Sequence, residues 1–289
     1  MTSPTGPTGS ATGTLQVVHL YPHLLGTYGD TGNSIVLRAR AQARGIACEV
    51  VAVQPGQPVP RDGDIYLLGG GEDAKQTAAA AELRASGVLT QAAARGAAVL
   101  GICAGYQLLG RRFLGVGGAA TDGLGLLDVT TDRLPRRAVG NMLAHSDVPG
   151  LGELIGFENH GGTTILGPGA LPLGRVEIGV GNGPGPAADG GPPTTATEGA
   201  IEGRVIGTYL HGPALALNPA LADLLLGWVA GPLAPLDDEL CLALRRHRRD
   251  HVLPQAARAT SRRRLLDRLR GKDSGVSGAT ATLSSTSSG

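Results

Sequence analysis

Four short apolar runs, each followed by a helical or Gly-rich segment, constrain this chain more than any other feature. Leu15–Leu20 (LQVVHL), Ile46–Val53 (IACEVVAV), Asp64–Leu68 (DIYLL) and Ala97–Ile102 (AAVLGI) read as strands. Several of them lack an alternating polar face, as strands covered on both sides do. The intervening segments supply the cover. Gly29-Asp30-Thr31-Gly32-Asn33 caps a helix running to about Arg44, and the Ala-rich stretch 74–94 is helical. This alternation predicts an α/β fold with a mostly parallel central sheet flanked by helices.

After residue 120 the pattern changes to strand-like pieces at Leu124–Thr130, Ala138–His145, Thr163–Leu166, Arg175–Ile178 and Arg204–Leu210. They predict a hairpin-rich second half or an antiparallel extension of the sheet. Residues 181–199 are too rich in Gly and Pro for an element. Helices are expected near 218–230 and from about 236. Residues 1–13 and 273–289 hold too little apolar surface to offset their ordering entropy and are expected to be disordered tails. What remains is one catalytic domain over residues 14–232 and a basic helical segment over 233–272.

Charge is distributed unevenly. From Arg245 onward there are 11 Lys and Arg against 3 Asp and Glu, a net of +8, whereas the preceding residues carry −7. Such a tail suits anionic lipid headgroups or nucleic acid, or is simply a solvated helix. Aromatic residues are only 3 % of the chain, which leaves little for base stacking, so no nucleic-acid partner is expected. No apolar run reaches the roughly 18 residues of a membrane span. No secretory signal pattern opens the chain. Three widely spaced cysteines fit a reducing compartment, and the expectation is a cytoplasmic protein. There is neither a phosphate-binding G-x-x-x-x-G-K-[ST] loop nor a Cys/His cluster at zinc spacing, so no cofactor and no metal are expected.

The chemistry-bearing segment is Gly101-Ile102-Cys103-Ala104-Gly105-Tyr106-Gln107. A strand leads into it and a helical pattern, Tyr106–Arg112, follows. This is the arrangement of a nucleophile elbow with Cys in place of Ser. Side chains two positions either side of Cys103 would collide in so sharp a turn, hence the glycines. The elbow presents sulfur at a strand's carboxyl end, where a helix N-terminus favours the thiolate. Cys48 and Cys241 have no such frame and read as small hydrophobes.

A thiolate needs a proton partner. His211 ends the apolar run Val205–Leu210 and precedes Gly212-Pro213, which puts it at the carboxyl edge where open α/β sheets keep their sites. His145 and His160 are the remaining candidates, and either can be a hydrogen-bonded structural histidine. Gly69-Gly70-Gly71-Glu72-Asp73 follows another strand, and its backbone N–H groups can face an oxyanion.

Five segments together resemble the class I (triad-type) glutamine amidotransferases, a flavodoxin-like α/β family, and within it the stand-alone branch related to cobyric acid synthase. They are Tyr28-Gly29-Asp30-Thr31-Gly32-Asn33, Leu68–Asp73, Gly101–Gln107, Gly156-Phe157-Glu158-Asn159-His160-Gly161-Gly162 and Gly207-Thr208-Tyr209-Leu210-His211-Gly212-Pro213. The resemblance implies Cys103 as nucleophile and His211 as its base, with the Gly69–Gly71 loop and the N–H of Ala104 as oxyanion hole. Gly70, Gly71, Ala104 and Gln107 thereby join the substrate site. An arginine after the elbow serves glutamine binding in this branch, and the corresponding position looks like Arg133, with Arg136 and Arg137 close by. The resemblance further implies a heterodimer with a MurT-like Mur ligase subunit. That partner would use the released ammonia on the D-glutamate of lipid II, a membrane-proximal substrate reached through the partner. A cobyrinate-like acceptor, or a non-catalytic regulatory subunit of the same fold, are the alternatives.

Two positions depart from the family pattern. Pro213 stands where triad amidotransferases usually carry Glu, two residues after the histidine. A dyad can suffice, or an acid can come from elsewhere; because the branch works with a partner, a partner carboxylate is the expectation. Thr163 follows Gly162 where relatives often have Arg.

Overall fold

The computed structural model describes residues 13–26, 29–184 and 196–252. Residues 1–12 and 273–289 of the expected tails, 185–195 of the expected loop and 253–272 of the basic segment lie outside them.

The first half builds the central sheet. Strand β1 (Leu15–Leu20) is followed by helix α1 (Gly32–Gln42), and β2 (Cys48–Val53) by β3 (Ile65–Leu68). Helices α2 (Asp73–Ser86) and α3 (Val88–Ala94) precede β4 (Ala98–Ile102), which leads into α4 (Ala104–Leu109). The stretch expected as one helix over 74–94 is thus two. Gly87 between them has φ 63°, a left-handed conformation that ends α2. The expected helix after the elbow is also shorter, because Arg112 belongs to the next strand.

The second half supplies a second sheet. Strands β5 (Arg112–Leu114), β6 (Ala120–Asp122), β7 (Val129–His145), β8 (Glu153–Leu166), β9 (Gly174–Ile178) and β10 (Thr197–Glu198) form it. The chain then returns to the first sheet through β11 (Ala200–Glu202) and β12 (Val205–Thr208). Three helices close the described part: α5 (Ala214–Leu217), α6 (Pro219–Ala230) and α7 (Glu239–His247).

Strand order in the first sheet is β11-β12-β4-β3-β1-β2. The five strands from β12 to β2 are parallel, and only β11 runs antiparallel at the edge. Without β11 this is the 2-1-3-4-5 order of doubly wound folds, whose ligands sit beyond the carboxyl ends of the strands. Strand β3 and strand β4 are buried along their whole length, as their unbroken apolar character requires.

The long hairpin β7–β8 is the main element of the second sheet. Its register shifts between Arg133 and Ala138, where Leu134-Pro135-Arg136-Arg137 leaves the ladder. Pro135 has no N–H to contribute there, and such bulges re-aim neighbouring side chains. Strand β8 reaches the first sheet through a bridge between Phe157 and His211, with the His211 N–H donating to the Phe157 carbonyl at 2.8 Å. On the far side, Arg40 of α1 is ion-paired with both Asp223 and Asp238, which ties α6 and the start of α7 onto α1. Among the described residues no helix is long and apolar enough to cross a membrane.

Candidate active site

Cys103 sits between β4 and α4 with φ 52° and ψ −103°, a backbone conformation that costs a non-glycine residue of order 1–3 kcal/mol. The elbow glycines are there for space. A Cβ at Gly101 would lie 2.7 Å from the Gly105 backbone, and one at Gly105 2.6 Å from the Leu68 carbonyl. The packed turn between β4 and α4 imposes this conformation and sets Cys103 at the sheet's carboxyl edge. Cys103 is 8 % exposed and faces a cavity.

His211 stands behind Cys103, fully buried, just beyond β12. Its Nδ1 lies 3.1 Å from both carboxylate oxygens of Asp30, which is itself buried in the turn before α1. Burial works against a charged imidazole here. The hydrogen bonds and charges of Asp30 and Cys103 outweigh it and push the His211 pKa up to about 10. At neutral pH His211 therefore holds its proton and can act as an acid toward the site.

Asp30 corrects the expectation of a partner carboxylate. The acid that orients His211 comes from this chain, 181 residues away in sequence. Its segment was legible as a helix cap and as part of the family resemblance, but neither reading assigns the carboxylate to the histidine. Only the parallel order, which brings the end of β1 near the end of β12, reveals it.

The glycine run 69–71 has divided duties. The Gly70 N–H donates to Asp30 Oδ2 at 2.7 Å, so it braces the acid instead of facing the cavity. The Gly69 carbonyl accepts from Gly105 N–H. Gly71, by contrast, lines the cavity beside Cys103. A side chain at Gly70 would strike the site directly, since its Cβ would lie 2.7 Å from His211 Cε1 and 3.0 Å from Asp30 Oδ2. Gly70→Ala is therefore expected to lower kcat about 100-fold, the usual cost of a misplacement near 1 Å. Steady-state kinetics, with circular dichroism to verify the fold, checks this.

The cavity beside Cys103 encloses about 540 Å³ and is lined by Gly71, Glu72, Asp73, Ala74, Cys103, Val116, Gly117, Arg137 and Asn159. Arg137 is held in place by two hydrogen bonds to Asn159, 2.6 Å to its Oδ1 and 3.1 Å to its carbonyl oxygen. A smaller hollow of about 120 Å³ adjoins it, sharing Asp73 and Arg137 and adding Arg133, Gln107, Gly161 and Gly162. Arg133 is exposed there and 3.7 Å from Asp73. Gln107 turns away from the sulfur, donating to the Tyr209 hydroxyl and accepting from Gln76, which also donates to the Ala104 carbonyl. A hollow of about 580 Å³ over Arg44 and Asp223 is somewhat larger, but it is wide open and far from the nucleophile.

The other two candidate histidines have structural partners. His160 is buried, bonded to Glu158 and to the Gly162 carbonyl, and stacked on Tyr209 with centroids 3.7 Å apart. His145 pairs with Glu177 at the surface. Among the described residues no cluster of three or more His, Cys, Asp or Glu is arranged to hold a metal ion.

Comparison with known proteins identifies the family. Residues 16–219 match the CobB/CobQ-like glutamine amidotransferase domain. The chain belongs to that glutamine amidotransferase family. Among relatives of this amidotransferase is the lipid II isoglutaminyl synthase (glutamine-hydrolyzing) subunit GatD of Staphylococcus aureus, 37 % identical over 73 % of this chain and 83 % of that one. The GatD subunit of Streptococcus pneumoniae is 34 % identical over 72 % of this chain and 77 % of its own. A cobyric acid synthase from Sphingopyxis alaskensis is 38 % identical over 62 % of this chain, but the match spans only 34 % of that longer protein.

Proposed function

We propose that this amidotransferase is the glutaminase subunit of a lipid II isoglutaminyl synthase. It would hydrolyse L-glutamine and hand ammonia to a MurT-like ATP-dependent ligase. The observation that carries the glutaminase reading is the buried Cys103–His211–Asp30 set opening on one cavity. The acceptor rests on similarity to the two GatD subunits, which cover most of their own length. The catalytic unit is residues 14–232.

In this reading the Cys103 thiolate attacks the side-chain amide carbon of glutamine. The N–H groups of Gly71 and Ala104 stabilise the oxyanion, one such donor being worth roughly 2.7–4 kcal/mol in comparable sites. His211 protonates the departing amine as ammonia, leaving a glutamyl thioester. It then takes a proton from water, whose attack on the thioester releases glutamate. Ammonia passes to the ligase, which activates the D-glutamate α-carboxyl of lipid II with ATP and forms D-isoglutamine.

The cavity also matches a zwitterion. Arg137 is placed to meet the glutamine α-carboxylate, while Glu72 and Asp73 offer negative charge to its ammonium. Arg133 lies in the adjoining hollow and is the second candidate for the carboxylate. A lost charge-assisted bond costs about 1.5–3 kcal/mol, so Arg137→Ala is expected to raise KM roughly 10- to 100-fold with a smaller change in kcat. Arg133→Ala is expected to raise it less. A larger KM effect at Arg133 would move the carboxylate to the smaller hollow.

The overall reading is tested by assaying the purified chain for glutamate release. It should show glutaminase activity with glutamine and none with asparagine. Addition of the ligase, ATP and lipid II should yield the amidated precursor. A folded chain with no glutaminase activity even beside the ligase would make it a regulatory subunit. Amidation of a corrinoid carboxylate instead of lipid II would change the acceptor.

A further inference from the structure

Strand β12 ends at Thr208, and Tyr209 and Leu210, which connect it to His211, lie outside the sheet ladders. Both are fully buried, so their N–H groups need acceptors within the protein. The Tyr209 N–H donates to Glu198 Oε1 at 2.9 Å. The same oxygen accepts from the Thr208 hydroxyl. With its hydrogen turned that way, the Thr208 oxygen accepts from the Leu210 N–H at 3.0 Å. One carboxylate oxygen thus holds both connecting N–H groups, the first directly and the second through Thr208.

The same joint carries the nucleophile. The Cys103 N–H donates to the Thr208 carbonyl at 2.8 Å, so a shift at Thr208 moves Cys103 and His211 together. Glu198 reaches this joint from β10, in the second sheet, and does not line the Cys103 cavity. A carboxylate is a costly choice for packing alone. Burial lifts its pKa to about 7, with the Glu158 charge adding to the rise, so above neutral pH Glu198 carries a charge its surroundings disfavour.

We propose that Glu198 is a positioning residue: it fixes the Thr208–Leu210 segment and thereby the placement of His211 against Cys103. The two acids divide the work on the histidine. Asp30 orients the ring through Nδ1, whereas Glu198 holds the backbone that delivers it. The inference rests on the glutaminase reading, which supplies the rate that positioning affects.

The test is steady-state glutaminase kinetics at several pH values on the full chain, with circular dichroism to verify the fold. Glu198→Leu fills the space but accepts no hydrogen bond. It is expected to lower kcat about 100-fold, the cost of a misplacement near 1 Å, with KM changed by less than about threefold because glutamine does not meet this residue. Its alkaline limb should move to lower pH as His211 loosens from Asp30, a change that lost stability alone does not produce. Glu198→Gln keeps an oxygen acceptor at the joint and should restore the rate to within about tenfold of the original. Thr208→Val keeps the shape, deletes the hydroxyl that passes the hold to Leu210, and should lower kcat about tenfold; it decides the matter if Glu198→Leu does not fold. The proposal is overturned by a folded Glu198→Leu chain with nearly the original kcat, or with a lower kcat and an unmoved limb. It is overturned equally by a Glu198→Gln chain no faster than Glu198→Leu, or by an undiminished rate in Thr208→Val. An original chain without glutaminase activity would overturn both this inference and the reading beneath it.

Discussion

Cys103→Ala removes glutamine hydrolysis by at least about 10⁴-fold while leaving ammonia-dependent amidation by the assembled complex close to its original rate. The first half follows from chemistry: His211, Asp30 and the oxyanion donors remain, but no group is left to form the thioester. Removing the nucleophile of an acyl-transfer set costs about as much as removing the whole set, because its members act as one unit. The second half follows from the division of labour. The ligase would receive free ammonia from solution, and the variant subunit would still hold the complex together. Alanine suits the position for a separate reason. It inherits the same positive φ as Cys103, so the substitution adds no new backbone strain, and it deletes only a sulfur that is 8 % exposed. The measurements are glutamate release by the isolated variant and product formation by the complex with glutamine or with an ammonium salt. Loss of both activities in a folded complex would contradict the proposed division.

How far the sequence reached depends on the range of the interaction concerned. The elbow was legible because its constraint is local: Gly101 and Gly105 are needed within two residues of Cys103. The strands of the parallel sheet were legible because burial on both faces leaves uninterrupted apolar runs. His211 was reachable from its place at the end of such a run. The long hairpin was not. Its strand β7 runs for 17 residues through polar stretches such as Thr131-Asp132-Arg133, and only its two apolar ends looked like strands. The interruption at Leu134–Arg137 is a bulge inside one strand, and that bulge is what brings Arg137 to Asn159 and the cavity. Gly70 shows the same limit from another side. Its run announced free N–H groups, yet which glycine faces the cavity depends on where Asp30 sits. Glu198 carried no local signal at all. It is fully buried beside the site's supporting strand, accepts from the Thr208 hydroxyl and the Tyr209 N–H, and burial lifts its pKa to about 7. Contacts of this kind join residues far apart in the chain, and no spacing rule encodes them.

Asp30→Asn is the sharper test of the site, because it keeps shape and changes only charge and proton capacity. Both neighbours of the Asp30 carboxylate are donors, His211 Nδ1–H and the Gly70 N–H. A carboxylate accepts from both. Either orientation of an asparagine amide turns its own N–H₂ toward one of them, so the variant must lose a bond or force His211 into the wrong tautomer. The corresponding change in a serine-protease triad lowers kcat about 10⁴-fold, and a loss of about 10³- to 10⁴-fold is expected here. The pH profile gives an independent reading. His211 must be charged to protonate the departing ammonia, and it loses that proton as pH rises through its pKa. With Asp30 present that pKa is about 10, so the alkaline limb of kcat/KM falls near there. Without the Asp30 charge the burial of His211 is opposed by Cys103 alone, and the limb moves to lower pH. The ligase should not rescue the variant, since the missing carboxylate belongs to this chain. A variant that keeps more than about a tenth of the original rate with its alkaline limb unmoved would overturn the assignment. Recovery of the rate on adding the ligase would return the orienting acid to the partner.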